Sequence, residues 1–202
     1  DEKLRQLFNG DSDSYIAVRK IERRKNHDYL IDAFEILWDD GYEVNLCIIG
    51  KVGWLCQDTM RRIKGHALFR SRLFTFNCAS DSDLLFAYER AKALVFPSIA
   101  EGYGLPVVEA LERGLPVIAS DLPVLREVGG SHCHYFSLDD PKNLASIIID
   151  EREGRLDLTQ AVKGYEPISW SESSKIVLQK LLHLYSLNLA REHPDSRPTF
   201  SN

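Results

Sequence analysis

The run Ala93-Leu94-Val95-Phe96-Pro97-Ser98-Ile99-Ala100-Glu101-Gly102-Tyr103-Gly104-Leu105-Pro106-Val107-Val108-Glu109 decides the fold. Its first five residues, 93–97, are apolar and read as a buried strand, and they lead directly into a loop with two glycines. A helix is predicted over 106–113: Pro106 suits a first helical position, where its missing N–H would be unpaired anyway, and Gly114 suits the position just past the end. Glycines at 102 and 104 let backbone N–H groups approach a ligand, and the helix N-terminus behind them carries partial positive charge, so an anion is the expected guest. Glu101 on the loop and Glu109 one turn into the helix are placed to accept paired hydrogen bonds from sugar hydroxyls.

Working outward, strand-like and helical segments alternate along the whole chain, which predicts an α/β domain with a Rossmann-like parallel sheet and helices on both faces. Strands are expected at 15–18, 44–49, 73–76, 116–119 and 134–136. Helices are expected from Asn26 as a cap to before Gly41, at 57–64, at 82–90 after a cap at Ser80 or Asp81, from Pro123, at 141–153 and at 170–191. The last of these carries Ile176, Val177, Leu181, Leu184 and Tyr185 at helical spacing. Residues 1–14 read as a short helix and linker, 15–191 as the folded domain, and 192–202 as a loose tail. The start lacks both an initiator methionine and a signal-peptide core, so the chain is expected to be a piece of a longer protein.

A net charge of −5 gives no support for nucleic-acid binding, and no apolar run approaches the length of a membrane span. Cys47, Cys56, Cys78 and Cys133 include no C-x-x-C pair and read as buried free thiols, pointing to a reducing, cytoplasmic compartment. His132-Cys133-His134 would alternate faces along a strand and so would not converge on a metal; none is expected. A dinucleotide fingerprint is also rejected, because Val107 stands where its third glycine belongs. Trp54 reads as a packing residue.

The segment Arg19-Lys20-Ile21-Glu22-Arg23-Arg24-Lys25 places five basic residues after the first strand, where ligands of open α/β sheets bind. A diphosphate there would favour an Arg fork with a Lys point charge.

Glu101-Gly102-Tyr103-Gly104-Leu105-Pro106-Val107-Val108-Glu109 resembles the E-x7-E motif of the retaining GT-B glycosyltransferases of the family usually called GT4. The resemblance continues through Glu112-Arg113-Gly114-Leu115-Pro116-Val117 to Asp121, Pro123, Arg126, Glu127 and Gly130, and more loosely over 15–185. It implies the C-terminal half of a GT-B fold that binds a nucleoside-diphosphate sugar, GDP- or UDP-linked, without a metal or other cofactor. By that resemblance Arg19 and Lys25, with Arg24, Arg23 and Lys20 able to share the role, hold the diphosphate. The loop Gly102, Tyr103, Gly104 and Leu105 cradles it through backbone N–H groups. Glu109 takes the ribose hydroxyls, Glu101 the transferred sugar, and the Asn77 region the base, leaving Glu101, Glu109, Arg19 and Lys25 as the groups expected to serve catalysis. The family's glycine before the Arg is replaced here by Val18. The implied activity is transfer of a hexose, with mannose favoured, to a glycan or lipid-linked acceptor held by a missing N-terminal domain, at the inner face of the membrane in the full-length protein. A non-catalytic nucleotide-sugar-binding subunit and a GT-B sugar-nucleotide epimerase are the alternatives.

Overall fold

The computed structural model describes residues 1–167 and 170–192; the expected tail at 193–202 lies outside the described residues, as does the Ile176 side chain. The strands are β1 (Ser14–Val18), β2 (Asn45–Ile49), β3 (Leu73–Phe76), β4 (Ala93–Phe96), β5 (Val117–Ser120) and β6 (His134–Phe136). Between and around them lie α1 (Glu2–Phe8), α2 (His27–Asp39), α3 (Gln57–Gly65), α4 (Asp81–Arg90), α5 (Leu105–Glu112), α6 (Pro123–Gly129), α7 (Lys142–Arg152), α8 (Thr159–Val162) and α9 (Trp170–Glu192). All strand pairs are parallel, in the order β3-β2-β1-β4-β5-β6. The order reverses between β1 and β4, and the loops leaving their carboxyl ends therefore diverge to opposite sides and open a crevice.

Side-chain alternation sorts the strands into two cores. Tyr15 and Ala17 of β1, Leu46 and Ile48 of β2, and Ala93 and Val95 of β4 pack with residues of α2, α3 and α7 on one face. Ile16, Cys47, Ile49, Leu94 and Phe96 point the other way, into α1, α4, α5 and α6. Both faces are covered, so the strands are mainly apolar, as a parallel sheet requires, with polar residues such as Ser14, Asn45 and Ser120 at their ends. The first segment is more than a linker in its contacts: Leu4 of α1 is fully buried and Phe8 nearly so, in the second core. Residues 1–165 form one compact unit and 166 onward a second. In the second, α9 exposes Val177, Leu181, Leu184 and Tyr185.

Several expectations are corrected. Helix α5 begins at Leu105 with Gly104 as its cap, which moves Pro106 one position further in, and Arg113 stands just past its end. Asn26 occupies the cap position of α2 in the left-handed conformation, but its side chain makes no capping bond; the neighbouring 3-10 turn Arg23–Lys25 fixes the entry instead. Trp54 is 73% exposed, just beyond the bridge that Val52 makes to Ile21 and before α3, so packing does not explain it. All four cysteines are free, yet Cys78 is exposed, since it stands in the loop after β3 and not in a strand. No helix among the described residues is long and apolar enough to cross a membrane.

Candidate functional site

The crevice at the β1/β4 switch is lined by Val18, Arg19, Lys25, His27, Phe96 and Ser98. Two loops are laced across it. Ile99 N donates to Arg24 O at 2.9 Å, and the Arg24 guanidinium reaches the Ala100 carbonyl at 3.5 Å. The buried Ser120 hydroxyl on β5 donates to Ser98 O at 2.6 Å, holding the start of the β4 loop from the other side. Arg19 has φ 144°, a region that favours glycine, so the position with glycine-like geometry is Arg19 itself and not Val18. Beside it the chain after β2 passes so closely that a Cβ on Gly50 would lie 1.9 Å from the Arg19 carbonyl oxygen.

Glu101 is the centre of this site. Its Oε1 accepts from Ser98 Oγ at 2.7 Å and from Lys25 Nζ, while Oε2 accepts from Arg24 at 3.3 Å. Both the Lys25 and Glu101 side chains are 5% exposed, so this is a buried ion pair with one exposed arginine at its rim. Burial raises the Glu101 carboxyl, but hydrogen bonds from Lys25 and Ser98 and the fields of Lys25 and Arg24 outweigh it and hold it below the ordinary range. Burial lowers Lys25, against the hydrogen bond and charge of Glu101; the neighbouring charges of Arg24 and Arg19 push the same way as burial. The aliphatic and aromatic surround includes the Phe96 ring, 5.2 Å from Lys25 Nζ. The sequence-predicted pair Lys25 and Glu101 is thus brought into direct contact with each other, with Arg24 joining them. Arg19 lines the same crevice, and its guanidinium has no hydrogen-bond or ion-pair partner among the described residues.

Glu109 lies in the second turn of α5, and its Oε2 accepts from the Tyr88 hydroxyl of α4 at 3.0 Å. Gly104 has φ 93°, and a Cβ there would sit 2.8 Å from Leu125 Cδ2; at Gly102 a Cβ would meet nothing. Gly104 is therefore required by the turn, whereas Gly102 leaves its backbone open to the outside. Tyr103 and Leu105 are about half exposed on the same rim. Asn77, at the end of β3, has a buried Oδ1 without a protein partner. It borders a concavity of about 1000 Å³ along the edge of β3 with Lys3, Gln6, Lys64 and Phe74. That groove meets the candidate site only through Asn77 and holds neither the paired carboxylates nor the glycine loop, so the switch-point crevice is the better place for chemistry.

His27 was not singled out by its sequence context. It is the first residue of α2, 5% exposed, and its Nδ1 in the crevice lacks a hydrogen-bond partner among the described residues. Burial lowers it to about 4, with Asp28 opposing and Lys25 reinforcing, so the imidazole is neutral near pH 7. The only sequence signal was a histidine next to the basic run. The His132-Cys133-His134 run lies elsewhere: His132 Nδ1 is 2.8 Å from Ala161 O, and its ring packs edge-on to Tyr165.

The family described as Glycosyl transferases group 1 matches residues 1–150. The serotype-specific mannosyltransferase WbdA of Escherichia coli is 39% identical over 171 residues, covering 83% of this chain and 21% of that protein. The O-antigen chain mannosyltransferase RfbU of Salmonella typhimurium is 31% identical over 112 residues, 55% of this chain and 31% of its own length. The chain thus spans about a fifth of the length of the first of these relatives. Among solved structures, the C-terminal domain of the glycosyl transferase group 1 protein LpcC of Francisella tularensis superposes with a TM-score of 0.64 at 16% identity, over 80% of this chain and 87% of that one. HepE of Anabaena, in complex with UDP and glucose, superposes with a TM-score of 0.66 at 19% identity, over 80% and 46%. These last two likenesses show the fold, the C-terminal Rossmann-like half of the GT-B architecture. By its sequence match over residues 1–150, this chain belongs to the group 1 family of glycosyl transferases, GT4.

Proposed function

We propose that the chain is the donor-binding domain of a retaining glycosyltransferase that moves a hexose, mannose, from a nucleoside-diphosphate sugar to a glycan or lipid-linked acceptor. The observation that carries this is the convergence of Lys25, Arg24 and Ser98 on Glu101 at the crevice where the strand order reverses. Mannose is supported by the names of the relatives, and a nucleoside-diphosphate donor by the UDP bound in the HepE structure. The donor is GDP- or UDP-linked.

In this proposal Arg19, Lys25 and Arg24 neutralise the diphosphate, and the backbone N–H groups of Gly104 and Leu105 add the partial charge of a helix start. Gly102 and Tyr103 form the rim over it, Asn77 lies toward the base, Glu109 accepts from the ribose hydroxyls, and Glu101 orients the sugar. The bond from the anomeric carbon to the diphosphate oxygen breaks, its electron pair leaving with the diphosphate, while the acceptor hydroxyl oxygen bonds the carbon from the same face and gives its proton to the departing diphosphate oxygen. Fixed positive groups act where negative charge grows on the departing oxygen, which lowers the barrier without reorganisation at the moment of reaction. The relatives extend far beyond the matched stretch, so the 202-residue chain by itself should bind the donor weakly and transfer poorly or not at all, and a longer protein with an acceptor lobe should work at the cytoplasmic face of the membrane.

A thermal-shift and calorimetry panel of GDP, UDP and their hexose conjugates tests this. One base series should raise the melting temperature and bind with release of heat; a panel in which no nucleoside diphosphate stabilises the chain would remove the proposal.

A further inference from the structure

Helix α4 shares the second core with α5 and is capped firmly: Ser80 and Asp83 form a reciprocal capping box at its start. Near its other end Tyr88 is 3% exposed, and a buried phenol needs a partner for its hydroxyl. That partner is Glu109, 21 residues further on, whose Oε2 accepts the bond at 3.0 Å. The ring is fixed from two sides. Its body belongs to the second core, and the Arg113 guanidinium stands 5.5 Å from its centroid. Arg113 in turn donates to the Glu109 backbone carbonyl at 2.8 Å, so the residue after α5 braces both members of the pair.

We infer that Tyr88 is a positioning residue for Glu109: its hydroxyl occupies one carboxylate oxygen and sets the rotamer that leaves the other for a diol of the donor. This rests on the reading of Glu109 as the acceptor for the ribose hydroxyls. A glutamate on a helix has three rotatable side-chain bonds, and an unheld carboxylate loses conformational freedom when it grips a ligand. Tyr88 removes part of that loss before the ligand arrives. It also fixes which oxygen is free: among the described residues Oε1 of Glu109 has no hydrogen-bond partner. Burial, together with the charge and hydrogen bond of Glu109, raises the Tyr88 hydroxyl far above neutrality, so it stays a donor at every working pH.

The test uses Tyr88→Phe, which keeps the ring and its packing. Affinities are measured for GDP and UDP and for their 2′,3′-dideoxy analogues, with the base that binds the unaltered protein more tightly. The quantity of interest is the ratio of dideoxy to parent dissociation constants. Glu109→Ala should bring that ratio to about one, and Tyr88→Phe should lower it by about three- to ten-fold, the scale of one hydrogen bond, with the dideoxy affinity unchanged. The double variant should lose no more than Glu109→Ala alone.

A Tyr88→Phe protein with the unaltered ratio, while Glu109→Ala has lost it, overturns the positioning role. Equal weakening of parent and dideoxy ligands by Tyr88→Phe also overturns it, since that marks a purely structural residue. A ratio untouched by Glu109→Ala would instead refute the ribose assignment itself, and the positioning role with it.

Discussion

Glu101 sits where an anion belongs. Lys25, Arg24 and Ser98 all donate to it, a donor set that would equally suit a phosphate oxygen. A diphosphate entering the crevice meets cations already shared with this carboxylate, and its own charge is repelled by it. Glu101→Gln removes that repulsion and frees Lys25 while keeping the side chain's size. It should therefore tighten nucleoside-diphosphate binding by about five-fold, ~1 kcal/mol, and abolish the additional affinity that the attached sugar confers. Titration calorimetry with both ligands decides it; weaker binding of the plain diphosphate would mean that Glu101 supports the site instead of competing for it. Lys25→Ala acts in the opposite sense. It should cost the diphosphate about 1.5–3 kcal/mol while changing nucleoside binding much less, and equal losses for the two would place Lys25 away from the phosphates. Because it strands a buried carboxylate, this variant should also unfold more easily, and the binding comparison must be made where it is fully folded.

At the level of the element, the glycine loop separates what the turn needs from what a ligand needs. Gly104→Ala forces a side chain into φ 93° and against Leu125, so it should destabilise the fold by about 1–3 kcal/mol in urea unfolding. Gly102→Ala meets nothing and should leave unfolding within about 0.5 kcal/mol. If the loop backbone does approach phosphate, that methyl should still weaken nucleoside-diphosphate binding; a Gly102→Ala protein that binds like the original would take Gly102 out of the site. The strand–loop–helix order was legible in the sequence because apolar runs such as 93–96 and the two-Glu loop signal themselves locally. Strand 73–76 and strand 134–136 fall where periodicity places them. What stayed hidden were partnerships across the chain. Lys25 and Glu101 stand 76 residues apart, and neither local pattern reveals that they would neutralise each other. Tyr88 carries no signal of its role, since nothing nearby in sequence shows its hydroxyl meeting Glu109. Trp54 failed as a packing residue for the converse reason: residue type suggests burial, but the loop carries it outward.

At the scale of the whole molecule, the crevice contributes to acid stability through His27. Its ordinary value is 6.5, and burial brings it down to about 4 in the folded protein, with Lys25 lowering it further and Asp28 pulling it back. A folded-state value below the unfolded one means that the unfolded chain takes up the proton first. The stability associated with a neutral His27 is complete above pH 6.5 and is lost as pH falls towards 4, at about 1.4 kcal/mol per pH unit, or about 2 kcal/mol by pH 5. The ion pair of Glu101 behaves similarly but lower: its carboxyl is held below 4.5, so its contribution begins to fade only beneath that value. The interval from pH 7 to 5 therefore isolates the histidines, and His134, also lowered by burial, adds in the same direction. His27→Gln keeps a polar side chain in the crevice without a titrating group. Urea unfolding at pH 7 and pH 5 should show the original protein losing about 2 kcal/mol more than the variant over that interval. Equal losses in both proteins would mean that His27 is not desolvated in the crevice, and its unpartnered Nδ1 would then be open to water at the site.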